Sequence, residues 1–242
     1  MLFCVSLCNA ILCGCSEETN AGDSKSQRTI DYGELQDRNG VLYEPDQATP
    51  YTGRSQSIYE GGQIRDEINI RGGKWHGLMT IWHTNGQKFR TVRYENAKKD
   101  GLQTEWYENG QKGSETHFRL GEKHGLDTEW YLDGQVASKI SYKDGKKHGM
   151  ETRWYQDGTK SSEGSYKNGS RHGLATAWWP GWKKRIELSF VDGVRHGIAT
   201  HWNPDGTTRV EYVYEDGVRI QFRVPSNNQH AEQGVGGKRG GG

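Results

Sequence analysis

The stretch His124-Gly125-Leu126-Asp127-Thr128-Glu129-Trp130-Tyr131-Leu132-Asp133-Gly134-Gln135 decides the fold. Leu126 to Tyr131 alternates and is rich in strand formers. Asp133-Gly134 is a hairpin dipeptide, built from residues that tolerate positive φ. A second strand, Val136 to Tyr142, follows. Lys143-Asp144-Gly145-Lys146-Lys147 then turns the chain into His148-Gly149, where the pattern begins again. One unit is therefore two antiparallel strands and two turns.

The pattern recurs along the chain with one period. Glycines stand at Gly53, Gly77, Gly101, Gly125, Gly149, Gly173 and Gly197, each 24 residues after the last. His precedes five of them, with Thr52 and Asp100 in the other two copies. Five residues after the glycine comes Trp82, Trp106, Trp130, Trp154, Trp178 or Trp202, with Ile58 in the first copy. Seventeen after it comes Ile70, Tyr94, Phe118, Tyr142, Tyr166, Phe190 or Tyr214. A strict period without insertions places each unit in the same slot of a stack. The expected fold is all-β: an elongated antiparallel meander of tandem 24-residue hairpins, about fourteen repeat strands plus caps.

Composition agrees. Hydrophobic residues make up 31% of the 242, and Gly, Trp and Tyr stand in for the missing aliphatics. That mixture disfavours a thick globular core and favours a thin, turn-rich sheet. The 32 basic and 31 acidic residues nearly balance, and no basic stripe is visible, so a nucleic-acid partner is not expected.

The ends read differently. All four cysteines lie within residues 1–15, an apolar, uncharged run too short to span a bilayer. It resembles the apolar part of a secretory signal. Its end, Leu12-Cys13-Gly14-Cys15, resembles a bacterial lipobox, although Cys13 stands where a small residue is usual and no Lys or Arg precedes the run. The resemblance implies cleavage before Cys15, a lipid on its sulfur and anchorage in the cell envelope. Residues 16–30 read as a linker, 31–52 as a cap hairpin over the open edge, 53–224 as the seven repeats and a closing strand, and 225–242 as a disordered Gly-rich tail.

The unit His-Gly-x-x-Thr-x-Trp-Tyr-x-Asn/Asp-Gly-Gln … Tyr-x-Asp/Asn-Gly-Lys resembles the MORN-repeat variant found in many bacterial proteins. Gly101 to Lys123 and Gly125 to Lys147 carry the likeness best, and it extends over about residues 30–222. It implies a hairpin meander. It also implies a protein-interaction or membrane-associated module, in a group often labelled as antitoxin components and often carrying lipoprotein signals.

Chemistry is sparse. Equivalent histidines stand two strands apart, roughly 9–10 Å, whereas zinc needs ligands near 2.0–2.1 Å; a turn or capping role is expected and no metal. No Gly-x-Ser-x-Gly elbow or P-loop spacing occurs, so neither an enzyme nor a cofactor is expected. The tryptophan column reads as core. Candidates for a binding surface are the less regular Trp75, Trp179 and Trp182 and the tyrosines Tyr107, Tyr131 and Tyr155, where stacking or cation–π contact would hold a partner or a glycan. An aromatic opposite each repeat glycine, such as Phe118 opposite Gly101, would lean over it as aromatic rescue. The expectation is a tethered binding or scaffold module with an unidentified protein partner, an antitoxin-like or glycan-binding role being the alternatives.

Overall fold

The computed structural model describes residues 28–223; the lipobox-like run with Cys15, most of the linker and the tail lie outside them. β1 (Thr29–Asp31), a short 3-10 turn (Tyr32–Glu34) and the hairpin β2 (Gln36–Arg38) and β3 (Val41–Tyr43) come first. The meander then runs through β4 (Gly53–Ile58), β5 (Ile64–Arg71), β6 (Lys74–Trp82), β7 (Lys88–Glu95), β8 (Lys98–Trp106), β9 (Lys112–Arg119), β10 (Glu122–Trp130) and β11 (Val136–Lys143). It continues through β12 (Lys146–Trp154), β13 (Lys160–Lys167), β14 (Ser170–Trp178), β15 (Lys184–Val191), β16 (Val194–Arg195), β17 (Gly197–Trp202), β18 (Thr208–Glu215) and β19 (Val218–Arg223). From β4 onward each strand pairs antiparallel with the next, and β16 and β17 together fill one position beside β15. The all-β hairpin meander expected from the repeat is the observed fold.

The two turns of a unit differ in kind. Asp144-Gly145 is a two-residue turn, with φ of +48° and +75°, and Lys143 pairs with Lys146 across it. Both central residues are left-handed, as a type I′ turn requires. The turn after each tryptophan is longer than the two residues expected. Tyr107 N–H donates to the Gln111 carbonyl and Gly110 N–H to Tyr107, which leaves a three-residue loop with Gly110 alone left-handed at φ +82°. One extra residue, Gly113, then bulges, because Trp106 faces Lys112 while Glu105 faces Ser114. Loop and bulge offset each other, so Gly101 still lies opposite Phe118, as a two-residue loop would have placed it.

The repeat glycine marks a second bulge. Lys123 faces Phe118 but Asp127 faces Thr116, so two extra residues of β10 are absorbed around Gly125, whose φ is +91°. Aromatic rescue does not describe this site. A Cβ on Gly125 would meet His117 at 3.5 Å on the preceding strand, and no atom of its partner Tyr142 is that near. The glycine is there for its backbone conformation, which side-chain-bearing residues enter at a cost.

Successive units are tied by bonds outside the sheet ladder. At one edge the Tyr59 hydroxyl donates to the Trp82 carbonyl at 2.8 Å, Tyr107 to Trp130 at 2.7 Å, Tyr131 to Trp154 at 2.7 Å and Tyr155 to Trp178 at 2.8 Å. His83 Nε2 takes the same place 3.0 Å from the Trp106 carbonyl. At the other edge the second residue of each type I′ turn donates its N–H to the unit before, as Gly121 does to Lys99, Gly145 to Lys123 and Gly169 to Lys147.

An apolar cluster forms where a second layer exists. Leu42 and Tyr51 cover Ile30, Ile68, Ile70, Val92 and Tyr94, with Trp75 and Met79 packed against them. The cap is more than the hairpin expected over 31–52. β1 closes the sheet edge by pairing parallel with β4, and it begins at Thr29, inside what reads as linker. The β2–β3 hairpin instead joins the edge ladder, with Leu42 N–H bonded to Gly73 and Gly73 N–H to Tyr51.

Beyond the cap the tryptophans are half-buried rather than fully buried, as a single layer dictates. A column holding only part of each ring cannot by itself fix the stack, and the tyrosine bonds carry the difference. Tyr131→Phe should cost about 1 kcal/mol, because it leaves the Trp154 carbonyl without its partner. Urea denaturation compared with wild type checks this, and an unchanged midpoint would mean that water replaces the hydroxyl.

Candidate functional site

Strand alternation sorts the repeat side chains onto two faces. One face carries a threonine two residues before each tryptophan and an apolar residue immediately after each repeat glycine from Gly77 onward. Leu78, Leu102, Leu126, Met150, Leu174 and Ile198 form that aliphatic column, each 38–53% exposed. The threonines beneath are largely buried, Thr104, Thr128 and Thr176 among them. The signal for this column lies in the sequence, since the residue after His-Gly is apolar in every copy. It is a regular apolar stripe on an otherwise polar surface.

The opposite face carries a row in which cations and aromatic rings alternate. Phe118 pairs across the sheet with Lys123, and Lys123 Nζ lies 5.0 Å from the centre of the Tyr142 ring. Tyr142 pairs with Lys147, which lies 5.0 Å from the Tyr166 ring. Arg171 follows, 5.6 Å from Tyr166 and 5.5 Å from Phe190, then Arg195, 5.5 Å from Tyr214. Such contacts favour a cation on each ring face. In the middle units each lysine also has an oxygen partner two residues beyond the glycine: Lys99 donates to Gln103 at 2.7 Å, Lys123 to Asp127 at 2.6 Å and Lys147 to Glu151 at 3.0 Å.

The sequence-predicted residues divide into three groups. Tyr107 and Tyr131 come together along the edge and, with Phe89, Trp106, Trp130 and Glu129, line a shallow groove of about 430 Å³. Tyr155 and Trp179 occupy the same register further on, and the Arg185 guanidinium lies 5.5 Å from the Trp179 ring. The tyrosine hydroxyls already bond backbone, so only their ring faces are available to a partner. Trp75 stands apart in the cap cluster, its ring 5.1 Å from that of Tyr94. Trp182 also stands apart, 58% exposed at a turn and at φ +71°. Gly62, Gly86, Gly110, Gly134, Gly158 and Gly206 fill that turn position elsewhere, so a bulky residue is held there against its own preference.

Three of the repeat histidines, His124, His148 and His172, have the turn role expected of the series. His124 Nδ1 lies 3.5 Å from the Asp144 N–H, and His148 Nδ1 accepts from Asn168 at 3.4 Å. Asp100 accepts from Leu120 N–H at 3.1 Å and Thr52 from Gly72 N–H at 2.9 Å, which explains what those two residues share with histidine. Each is an acceptor aimed at the first residue of the next type I′ turn. Among the described residues no group of three metal-ligating side chains comes together.

Glu151 is a buried carboxylate with several donors around it. Burial alone would raise its carboxyl, but hydrogen bonds from Lys147, Tyr166 and Arg153 outweigh burial and hold it below the ordinary glutamate range. A depressed carboxyl stabilises the fold above its unfolded-state value and loses that contribution as pH falls through the folded value. Wild type should therefore lose stability on acidification through and below the ordinary range, near pH 4.3, and Glu151→Gln should flatten the slope there. Thermal melts across pH 2–6 check this; parallel curves for the two proteins would contradict it.

Three segments, residues 99–119, 123–144 and 147–168, match the MORN repeat variant family. The central units are thus similar to MORN-variant repeats, and the units on either side share their strand pairing. No curated protein matches the chain.

Proposed function

We propose that this MORN-repeat sheet is a non-enzymatic binding or scaffold module, held at a cell envelope through a lipid on Cys15, whose partner is a protein. The observation that supports the reading most is the aliphatic column Leu78, Leu102, Leu126, Met150, Leu174 and Ile198, six exposed apolar residues in one line. Exposed apolar surface is costly, and a line of it repeated once per unit, on every second strand, suits a second protein better than a small molecule. The ordering of side chains along the stack gives such a surface length and a fixed pitch rather than a pocket.

Replacing Leu102, Leu126 and Leu174 together by serine leaves the turns, the ion pairs and the tyrosine bonds in place. The triple variant should keep its melting temperature within a few degrees yet lose captured protein when wild type and variant are used as bait in envelope extracts. Equal capture by both would move the binding surface off this face. Tethering is tested separately: labelled fatty acid should enter wild type and not Cys15→Ser, and equal labelling would remove the anchor from the reading.

A further inference from the structure

The row of cations changes character along the sheet. In three successive units a lysine meets an oxygen-bearing side chain two residues past the glycine: Gln103, Asp127, then Glu151. In the next two units the lysine becomes Arg171 and Arg195, and the oxygen-bearing residue becomes Ala175 and Ala199. Both changes occur together, twice. The two alanines are buried, at 8% and 3% exposure, whereas both arginines are exposed.

Each missing side chain leaves a cavity. One, of about 260 Å³, is lined by Arg171, Ala175, Gly164, Tyr166 and Leu188. The other, of about 270 Å³, is lined by Arg195, Ala199, Leu188, His201 and Tyr212. Glu151 and Glu163 reach the first cavity, but Lys147, Arg153 and Lys160 already bind them. Among the described residues neither Arg171 nor Arg195 forms an ion pair; Arg195 reaches only the Tyr214 hydroxyl, at 3.4 Å. His201, beside the second cavity, is pushed below the ordinary histidine range by burial and then by Arg195 and Arg209, as expected where positive charge lacks a counter-ion.

We propose that repeats six and seven form a two-pocket site for an acidic, extended peptide, whose carboxylates enter the positions that Asp127 and Glu151 fill for the lysines of the earlier repeats. The inference builds on the reading of the protein as a binding module, but it lies on the opposite face from the aliphatic column. Arg171 and Arg195 supply forked donors suited to carboxylates, and Leu188 and Ile186, on the strand between them, supply an apolar floor shared by both cavities. The pockets recur after one unit, that is after two strands, or roughly 9–10 Å. A polyproline II segment repeats its side-chain direction every three residues and rises about 9.3 Å in that distance. Acidic residues three apart in such a segment therefore meet both pockets from one side, whereas two apart in a β-strand fall short at roughly 6.6 Å.

The probe is a capped, fluorescein-labelled heptapeptide with glutamates at its second and fifth positions and proline and leucine between them. Anisotropy should rise saturably with the full chain, and should need at least about ten-fold more protein when both glutamates are glutamine. Arg171→Gln with Arg195→Gln should weaken binding by a similar factor. The deciding variant is Ala175→Glu with Ala199→Glu, which restores the internal carboxylates. It should bind the probe at least ten-fold more weakly while melting no lower than wild type. Equal affinity for the glutamate and glutamine peptides, no saturable binding, or unchanged affinity in the glutamate double variant would each overturn the proposal. If the peptide experiments fail while wild type still captures a protein from extracts and the triple serine variant does not, the acidic site falls and the binding-module reading stands.

Discussion

At each tryptophan the strand pairing shifts by one residue, and through Trp178 the tryptophan carbonyl turns to a donor outside the ladder. For Trp82, Trp130, Trp154 and Trp178 that donor is the hydroxyl of the tyrosine 23 residues earlier, and for Trp106 it is His83. A backbone acceptor left unpaired is costly, so this bond fixes both the spacing and the direction in which one unit follows another. The period of 24 residues is the distance at which a tyrosine reaches the next unit's carbonyl while the opposite edge's turn glycine reaches the carbonyl of the unit before.

Because that register is fixed at both edges, the sheet does not need a thick core between them. Away from the cap it is one layer, and its interior contacts are made by side chains lying along the surface. Threonines pack under glutamates and lysines on one face. Cations lie against aromatic rings on the other, each ring shared between neighbouring units. Apolar burial is concentrated at the N-terminal end, where the cap gives Ile68, Ile70 and Val92 a second layer. The far end has no such cover among the described residues, and β19 presents Val218, Ile220 and Phe222 largely exposed.

A stack built this way can vary one face without disturbing the frame. The turn glycines, with tyrosine–carbonyl bonds in four units and histidine, aspartate or threonine acceptors at five turns, hold the units in place. The residue two positions past the glycine is then free to be Met79, Gln103, Asp127, Glu151 or Ala175. The face consequently runs from apolar under the cap, through internally neutralised charge in the middle, to unneutralised arginines over small residues in the last units. That gradient is a property of the assembled row, not of any one repeat.

Much of this was legible in the residues alone. The period, the strand pairs, the position of every turn and the pairing of Gly101 with Phe118 follow from local preferences and an unbroken repeat, which act within a few residues or recur until they cannot be missed. The sequence did not reveal that the Asn109-Gly110 turn is a three-residue loop offset by a bulge, because two compensating shifts leave the far register unchanged. It assigned the tyrosines to a binding surface, since a hydroxyl's partner 23 residues away is set by the stacking of units. It read the tryptophans as core, since burial depends on whether a second layer covers them, and only the cap supplies one. Which cations are neutralised and which face empty space was decided only in the tertiary structure, because the carboxylate that would neutralise each is named by side-chain position across the sheet, and charge is compensated through space rather than along the chain.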